Sequence, residues 1–173
     1  RSRYAEKVKT SGKTYTKSDR RENLVAGEMN EYSKEEKVKE ANNRGGCLCG
    51  AVKFEIYGEI RHIINCHCGQ CRRTHGHYAA YSSVKKTKFK FIRDTGLKWF
   101  RSSDKAKRGF CKECGASLFY QRNGEKNVSI AAGMLASTIG LKTISHIFMK
   151  DKPDYYLIDD ELPKYMKYHE NGL

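Results

Sequence analysis

The stretch 45-GGCLCGAVKFEIYG-58 carries two signals at once. Its second half alternates, with Val52, Phe54 and Ile56 on one side and Lys53 and Glu55 on the other. Apolar residues at a period of two on one face mark a half-buried β-strand. Its first half sets Cys47 and Cys49 two residues apart between glycines. Continued back through them, a strand turns both sulfurs to one side, where they can reach one ion.

Similar short runs follow at 77-HYAAYSSV-84, 88-KFKFIR-93, 97-LKWFRS-102, 117-SLFYQR-122, 127-NVSIAAGML-135 and 143-TISHIFM-149. Turn-forming stretches such as 93-RDTG-96 and 122-RNGE-125 separate several of them. Many short strands at close spacing argue for a mainly β domain with antiparallel sheet. Upstream the character differs. Residues 1–44 hold no cysteine and few large apolar side chains, so they can bury little surface to offset ordering. Within 33-SKEEKVKEANNRGG-46, Ser33 and Glu36 have capping-box spacing and Gly45-Gly46 would end a short helix. The expected organisation is a charged, partly helical arm over residues 1–44, mobile or loosely docked over 1–30, a cysteine-bearing β domain over 45–165 and a tail over 166–173.

The chain is 173 residues long, enough for one domain with a core, and has 34 Lys+Arg against 20 Asp+Glu. A net charge of +14 favours anionic partners or substrates by long-range attraction. No run of about 18 apolar residues is present, which argues against a membrane span. The first residues, RSRYAEKVKT, lack the apolar core of a signal peptide. A reducing, cytoplasmic setting is expected, where cysteines are metal ligands or reactive thiols rather than disulfides.

Seven cysteines cannot all pair with one another. Cys47 and Cys49 match a second close pair in 110-FCKECGA-116, where Gly115 allows the tight turn of a zinc knuckle after Cys111 and Cys114. Two such pairs supply four thiolates for a closed structural zinc, which would staple the first strand to a late hairpin. Reduced core thiols are the plain alternative. Cys66, Cys68 and Cys71 remain, crowded into 65-NCHCGQCRR-73. Three ligands and one open position are the pattern of a catalytic zinc. His67 or a distant histidine would close the site, and redox thiols would need no ion. In an extended segment His67 points away from its neighbours' sulfurs. Arg72, Arg73, His75 and His77 follow the trio, and the arginines could meet a substrate carboxylate. His146 reads as a buried, satisfied histidine within a strand.

Taken in order, GGCLCGAVKFE, NCHCGQCRRTHG, RGFCKECGASLF, IAAGML, SHIF and DELPKY resemble the glutathione-dependent formaldehyde-activating enzymes, over about residues 45–165. The resemblance implies an Mss4-like β domain with two zinc ions. The structural ion would take Cys47, Cys49, Cys111 and Cys114, and the catalytic-type ion Cys66, Cys68 and Cys71. It also implies a carbon–sulfur lyase that handles a small aldehyde, formaldehyde in the family's name, and a thiol, with glutathione as co-substrate. Arg72, Arg73 and His75 are its candidate contacts here. Gly76 and Gly133 match family glycines and are expected at close backbone approaches. Centromere protein V carries the same type of domain, so the competing expectation is a non-catalytic, zinc-stapled basic domain that binds nucleic acid or cytoskeletal polyanions. Lys86, Lys88 and Lys90 in 83-SVKKTKFKFIRD-94 would form its basic strand face, opposite Phe89 and Phe91. A lysine-protected edge strand explains the same pattern and is the favoured reading.

Overall fold

A computed structural model describes residues 40–138 and 140–168. Among these residues, ten strands and one α-helix run in the order β1 (Asn43–Gly46), β2 (Lys53–Ile56), β3 (Ile63–Cys66), α1 (Gly69–His75), β4 (Ala79–Lys85), β5 (Phe89–Arg93), β6 (Leu97–Ser103), β7 (Ala106–Cys111), β8 (Ser117–Arg122), β9 (Asn127–Ala131) and β10 (Thr143–Ile147). Two sheets result, one of three strands ordered β1-β2-β5 and one of seven ordered β10-β3-β4-β9-β8-β7-β6. The mainly β expectation holds. Pairing is antiparallel except between β10 and β3, which run parallel. Among the described residues no helix is long and apolar enough to cross a membrane.

The alternation in β2 works as read. Phe54 and Ile56 are 1% and 0% exposed, and Lys53 faces solvent. They join Phe119, Ile130, Val84 and Val128 of the larger sheet in one core. The Phe54 ring lies 5.4 Å from Phe119, edge to face, and 5.1 Å from Phe89. Burying a side chain of this size contributes about 2–3 kcal/mol. The sheets close tightly at Gly45, where an added Cβ would lie 2.3 Å from the Met134 carbonyl oxygen and 2.4 Å from the Phe54 ring.

Several expectations are corrected. Gly45 and Gly46 do not end a helix but lie in β1, which begins at Asn43. Asn42 already donates to the Ile56 carbonyl, at 2.7 Å. Ser33, Glu36 and the remainder of the expected arm fall outside the described residues. Cys47 and Cys49 are not in a strand but in a tight turn, closed by Gly50 N–H on the Cys47 carbonyl. The extended reading also fails after Cys68, where α1 begins. Lys86 and Lys88 sit in a 3₁₀ turn and only Lys90 in β5, so the three lysines share no strand face. β5 is an edge of its sheet. Gly133 makes no close approach, since a Cβ there would meet nothing within 4 Å. Gly76 is needed for its left-handed φ of 77° at the C-cap of α1.

Candidate functional site

Two cysteine clusters form, divided as the spacing implies. Cys47, Cys49, Cys111 and Cys114 bring their sulfurs within 4.8 Å of one another. Cys47 and Cys49 sulfurs are 3.6 Å apart, and Cys49 and Cys111 sulfurs 3.7 Å. Four thiolates about 2.3 Å from one zinc in a tetrahedron would be ~3.8 Å apart, so the set fits that ion. The knuckle forms because Gly115, at φ 73°, lets its N–H return to the Cys111 carbonyl at 2.9 Å. Gly96 carries no side chain because a Cβ would come within 3.0 Å of Cys111 Sγ. The Val52 amide donates to Cys47 Sγ at 3.2 Å. Cys114 is held down to about 6, first by the amide of Ala116. This cluster joins the turn after β1 to the end of β7, and hence one sheet to the other.

The second cluster is Cys66, Cys68 and Cys71, also within 4.8 Å. Cys66 ends β3. Cys68 is the N-cap of α1, where its sulfur accepts from the Cys71 amide at 3.4 Å. Cys71 is the helix's buried residue. Among the described residues no further His, Cys, Asp or Glu ligand atom joins the three. Negative charge concentrates on Cys68, which is held down to about 2 by Cys66 first, then by Cys71 and by the amides of Cys71 and Gln70. Cys66 moves the other way, pushed up by Cys68 and Cys71 and then by burial.

His67 is fully buried and turns to the opposite side of the strand. Its Nδ1 lies 2.5 Å from the Tyr156 hydroxyl and its Nε2 2.8 Å from His146 Nδ1. His146 Nε2 lies 2.9 Å from Asp160 Oδ2. One proton arrangement satisfies the whole chain. Tyr156 donates to His67, His67 to His146 and His146 to the Asp160 carboxylate, with both rings neutral. Burial holds His67 down to about 4, consistent with a neutral ring. His67 is therefore not a fourth ligand, and His146 is the satisfied core histidine expected.

The trio opens on a groove of about 1570 Å³ that Arg61, Arg73, Tyr81, Arg108 and Tyr120 also line. Of the residues singled out after the trio, Arg73 reaches this groove, whereas Arg72 and His75 are not among those lining it. The His75 ring packs edge-on against Tyr81 at 5.3 Å, and burial pushes its pKa down. Arg72, Arg73 and His75 all fall in the last turn of α1, where cations complement the carbonyl end of a helix. His77 stacks against Tyr78 and Tyr156, at 4.6 and 4.2 Å, beside a smaller cavity of about 360 Å³ behind β3.

Arg108 and Tyr81 were not singled out from sequence. Arg108 is 5% exposed and its Nη2 lies 3.6 Å from Cys71 Sγ. It also reaches the Tyr81 hydroxyl at 3.4 Å. Burial raises the Tyr81 pKa, so its hydroxyl stays protonated. A signal existed, since Arg108 lies three residues before Cys111 in RGFCKECG and alternates inward with Ala106 in β7.

A family model described as glutathione-dependent formaldehyde-activating enzyme matches residues 42–151. A Schizosaccharomyces pombe protein named as an uncharacterized lyase is 30% identical over 114 residues, 65% of this chain and 82% of that protein. A crystal structure of a Rhodobacter sphaeroides protein aligns with a TM-score of 0.48 and 23% identity, over 70% of this chain and 98% of the other.

Proposed function

The chain belongs to the glutathione-dependent formaldehyde-activating enzyme family, and from that membership we propose that it is a carbon–sulfur lyase acting on the adduct of a thiol, glutathione by default, and a small aldehyde such as formaldehyde. The observation that carries the reading is the convergence of Cys66, Cys68 and Cys71 on the groove without a fourth ligand among the described residues. In the direction of synthesis the thiol S–H loses its proton, a sulfur–carbon bond forms, and the carbonyl oxygen becomes a hydroxyl. Lysis reverses each change, and neither direction needs an oxidant or reductant.

Zinc held by the trio would keep an incoming thiol ionised and fixed at the open position. The protein's own groups do the remaining work. The groove confines thiol and aldehyde together, which converts an encounter in solution into a local one. Arg73 at its rim and Arg61 within it offer guanidinium groups to the carboxylates of a peptide-like thiol. Arg61 Nη2 donates to the Tyr81 carbonyl at 3.2 Å, which fixes its guanidinium in the wall of the groove. Cys47, Cys49, Cys111 and Cys114 hold the fold and take no part in the reaction. The polyanion-binding alternative loses its main support with the broken basic face at Lys86, Lys88 and Lys90.

The test is exchange spectroscopy by NMR on S-hydroxymethylglutathione in equilibrium with glutathione and formaldehyde. The zinc-loaded protein should speed exchange and Cys68→Ser should abolish the increase. Equal exchange with and without the wild-type protein would refute the reading.

A further inference from the structure

Arg108 presents a problem of charge. Its guanidinium is buried between β7 and the trio, stacked 5.1 Å from the Tyr120 ring. Its partners are Gln70 Oε1 at 3.3 Å, the Tyr81 hydroxyl at 3.4 Å and Cys71 Sγ at 3.6 Å. Nε has no partner among the described residues, and no carboxylate lies within ion-pair reach of the group. A buried cation without a counter-charge is strongly disfavoured. The cysteine sulfurs are the anions at hand.

Formal charge then shows what the residue does. Three thiolates around one divalent zinc leave the site singly negative. A fourth thiolate, from a substrate, would make it doubly negative in a buried setting. We propose that Arg108 is the counter-ion that lets the Cys66–Cys68–Cys71 site accept an external thiolate, so that it selects ionisable thiols over neutral sulfur compounds of the same shape. With Arg108 in place the site is neutral before the thiolate arrives and singly negative after. The inference rests on the thiol-holding reading of the trio. It makes Arg108 a positioning and selectivity residue, acting through Cys71 and the incoming sulfur. A lysine would restore the charge but not the fork that meets Cys71, Gln70 and Tyr81 together.

The experiment is a binding one and needs no turnover. Zinc-loaded wild-type protein, Arg108→Met and Arg108→Lys are titrated by calorimetry with glutathione and with S-methylglutathione, whose sulfur cannot ionise. Zinc per chain and far-UV circular dichroism are recorded for each. The wild type should prefer glutathione. Arg108→Met should weaken glutathione binding roughly 10- to 100-fold, the range of a charge-assisted contact, and leave S-methylglutathione within about twofold. Arg108→Lys should recover part of the preference. If the wild type shows no preference, the thiol-holding reading falls and takes this inference with it. If the wild type prefers glutathione and Arg108→Met keeps that preference, the inference alone is overturned. It is likewise overturned if Arg108→Lys loses fold or zinc as Arg108→Met does, since Arg108 would then be a structural prop.

Discussion

Replacing Cys111 and replacing Cys68 by serine should have opposite consequences, and the structure sets the size of each. Cys111 is fully buried and ties the end of β7 to the turn that carries Cys49, 62 residues away. A metal clip across a loop of that length removes entropy from the unfolded chain worth about 4 kcal/mol. A serine hydroxyl left in the same dry position adds about 1–3 kcal/mol. The sum is comparable with the whole stability of a small domain, about 5–15 kcal/mol. Cys68 closes only a short stretch, since Cys66 and Cys71 are five residues apart. The same loop relation gives about 2 kcal/mol there. Serine is also a preferred N-cap, worth up to about 1 kcal/mol at the position Cys68 occupies in α1. Urea unfolding followed by far-UV circular dichroism in zinc buffer, with zinc per chain by elemental analysis, reads both effects. Cys111→Ser should lose most of the wild-type midpoint. Cys68→Ser should stay close to it and lose one ion. A wild-type midpoint for Cys111→Ser, or equal losses in both variants, would refute the division of the cysteines into a staple and a working site.

Three further outcomes follow from the geometry. His146→Leu strands the buried His67 Nε2–H and the Asp160 oxygen, and should cost about 2–4 kcal/mol in urea unfolding, whereas a change below about 0.5 kcal/mol would show the chain to be incidental. His67 is held down to about 4 by burial, while the unfolded chain takes up its proton near pH ~6.5. The unfolded state therefore binds more protons in that window, and stability should fall as pH drops from ~6.5 toward ~4. His67→Gln should flatten that part of the pH–stability curve, and an unchanged slope would sink the assignment. Gly45→Ala forces a Cβ against the Met134 carbonyl and the Phe54 ring, so a loss of about 1–3 kcal/mol is expected, with a neutral result excluding a tight closure there.

The elements legible in sequence were those whose outward side is wet. β2 alternates because one side meets the core and the other solvent, and a period of two records that difference. β3 was missed because Ile64, Asn65 and Cys66 are all buried and no polar face marks it. β7 was missed for a similar reason, with Arg108 inside and Gly109 between the Trp99 and Phe119 rings. α1 has seven residues, too few for a helical period to emerge, and two of the trio, Cys68 and Cys71, serve as its N-cap and its buried residue. The grouping of the cysteines into two clusters was legible, because close spacing is a local constraint that the chain states directly. Arg108 was not singled out, because its contact with Cys71 joins residues 37 apart in sequence and its one local mark is the inward alternation with Ala106 in β7.

The two clusters differ less in their sulfurs than in what stands around them. Cys47, Cys49, Cys111 and Cys114 are met by backbone amides and glycines, with Cys47 and Cys111 buried and Cys49 exposed to solvent. The trio is built asymmetrically. Behind it, β3 turns His67 into a buried hydrogen-bonded chain that ends on Asp160 and pins the backbone between two of the three ligands. In front, Ile64 and Cys66 face the groove, as their alternation with Asn65 and His67 requires. On the proposed reading, a braced back and an open front leave room for a fourth ligand beside the three thiols. Among the described residues Arg108 is the cation that contacts the trio, through Cys71 Sγ at 3.6 Å. On the proposed reading, the burial of Arg108 beside the three sulfurs ties the electrostatics of the groove to the charge of the thiol bound there.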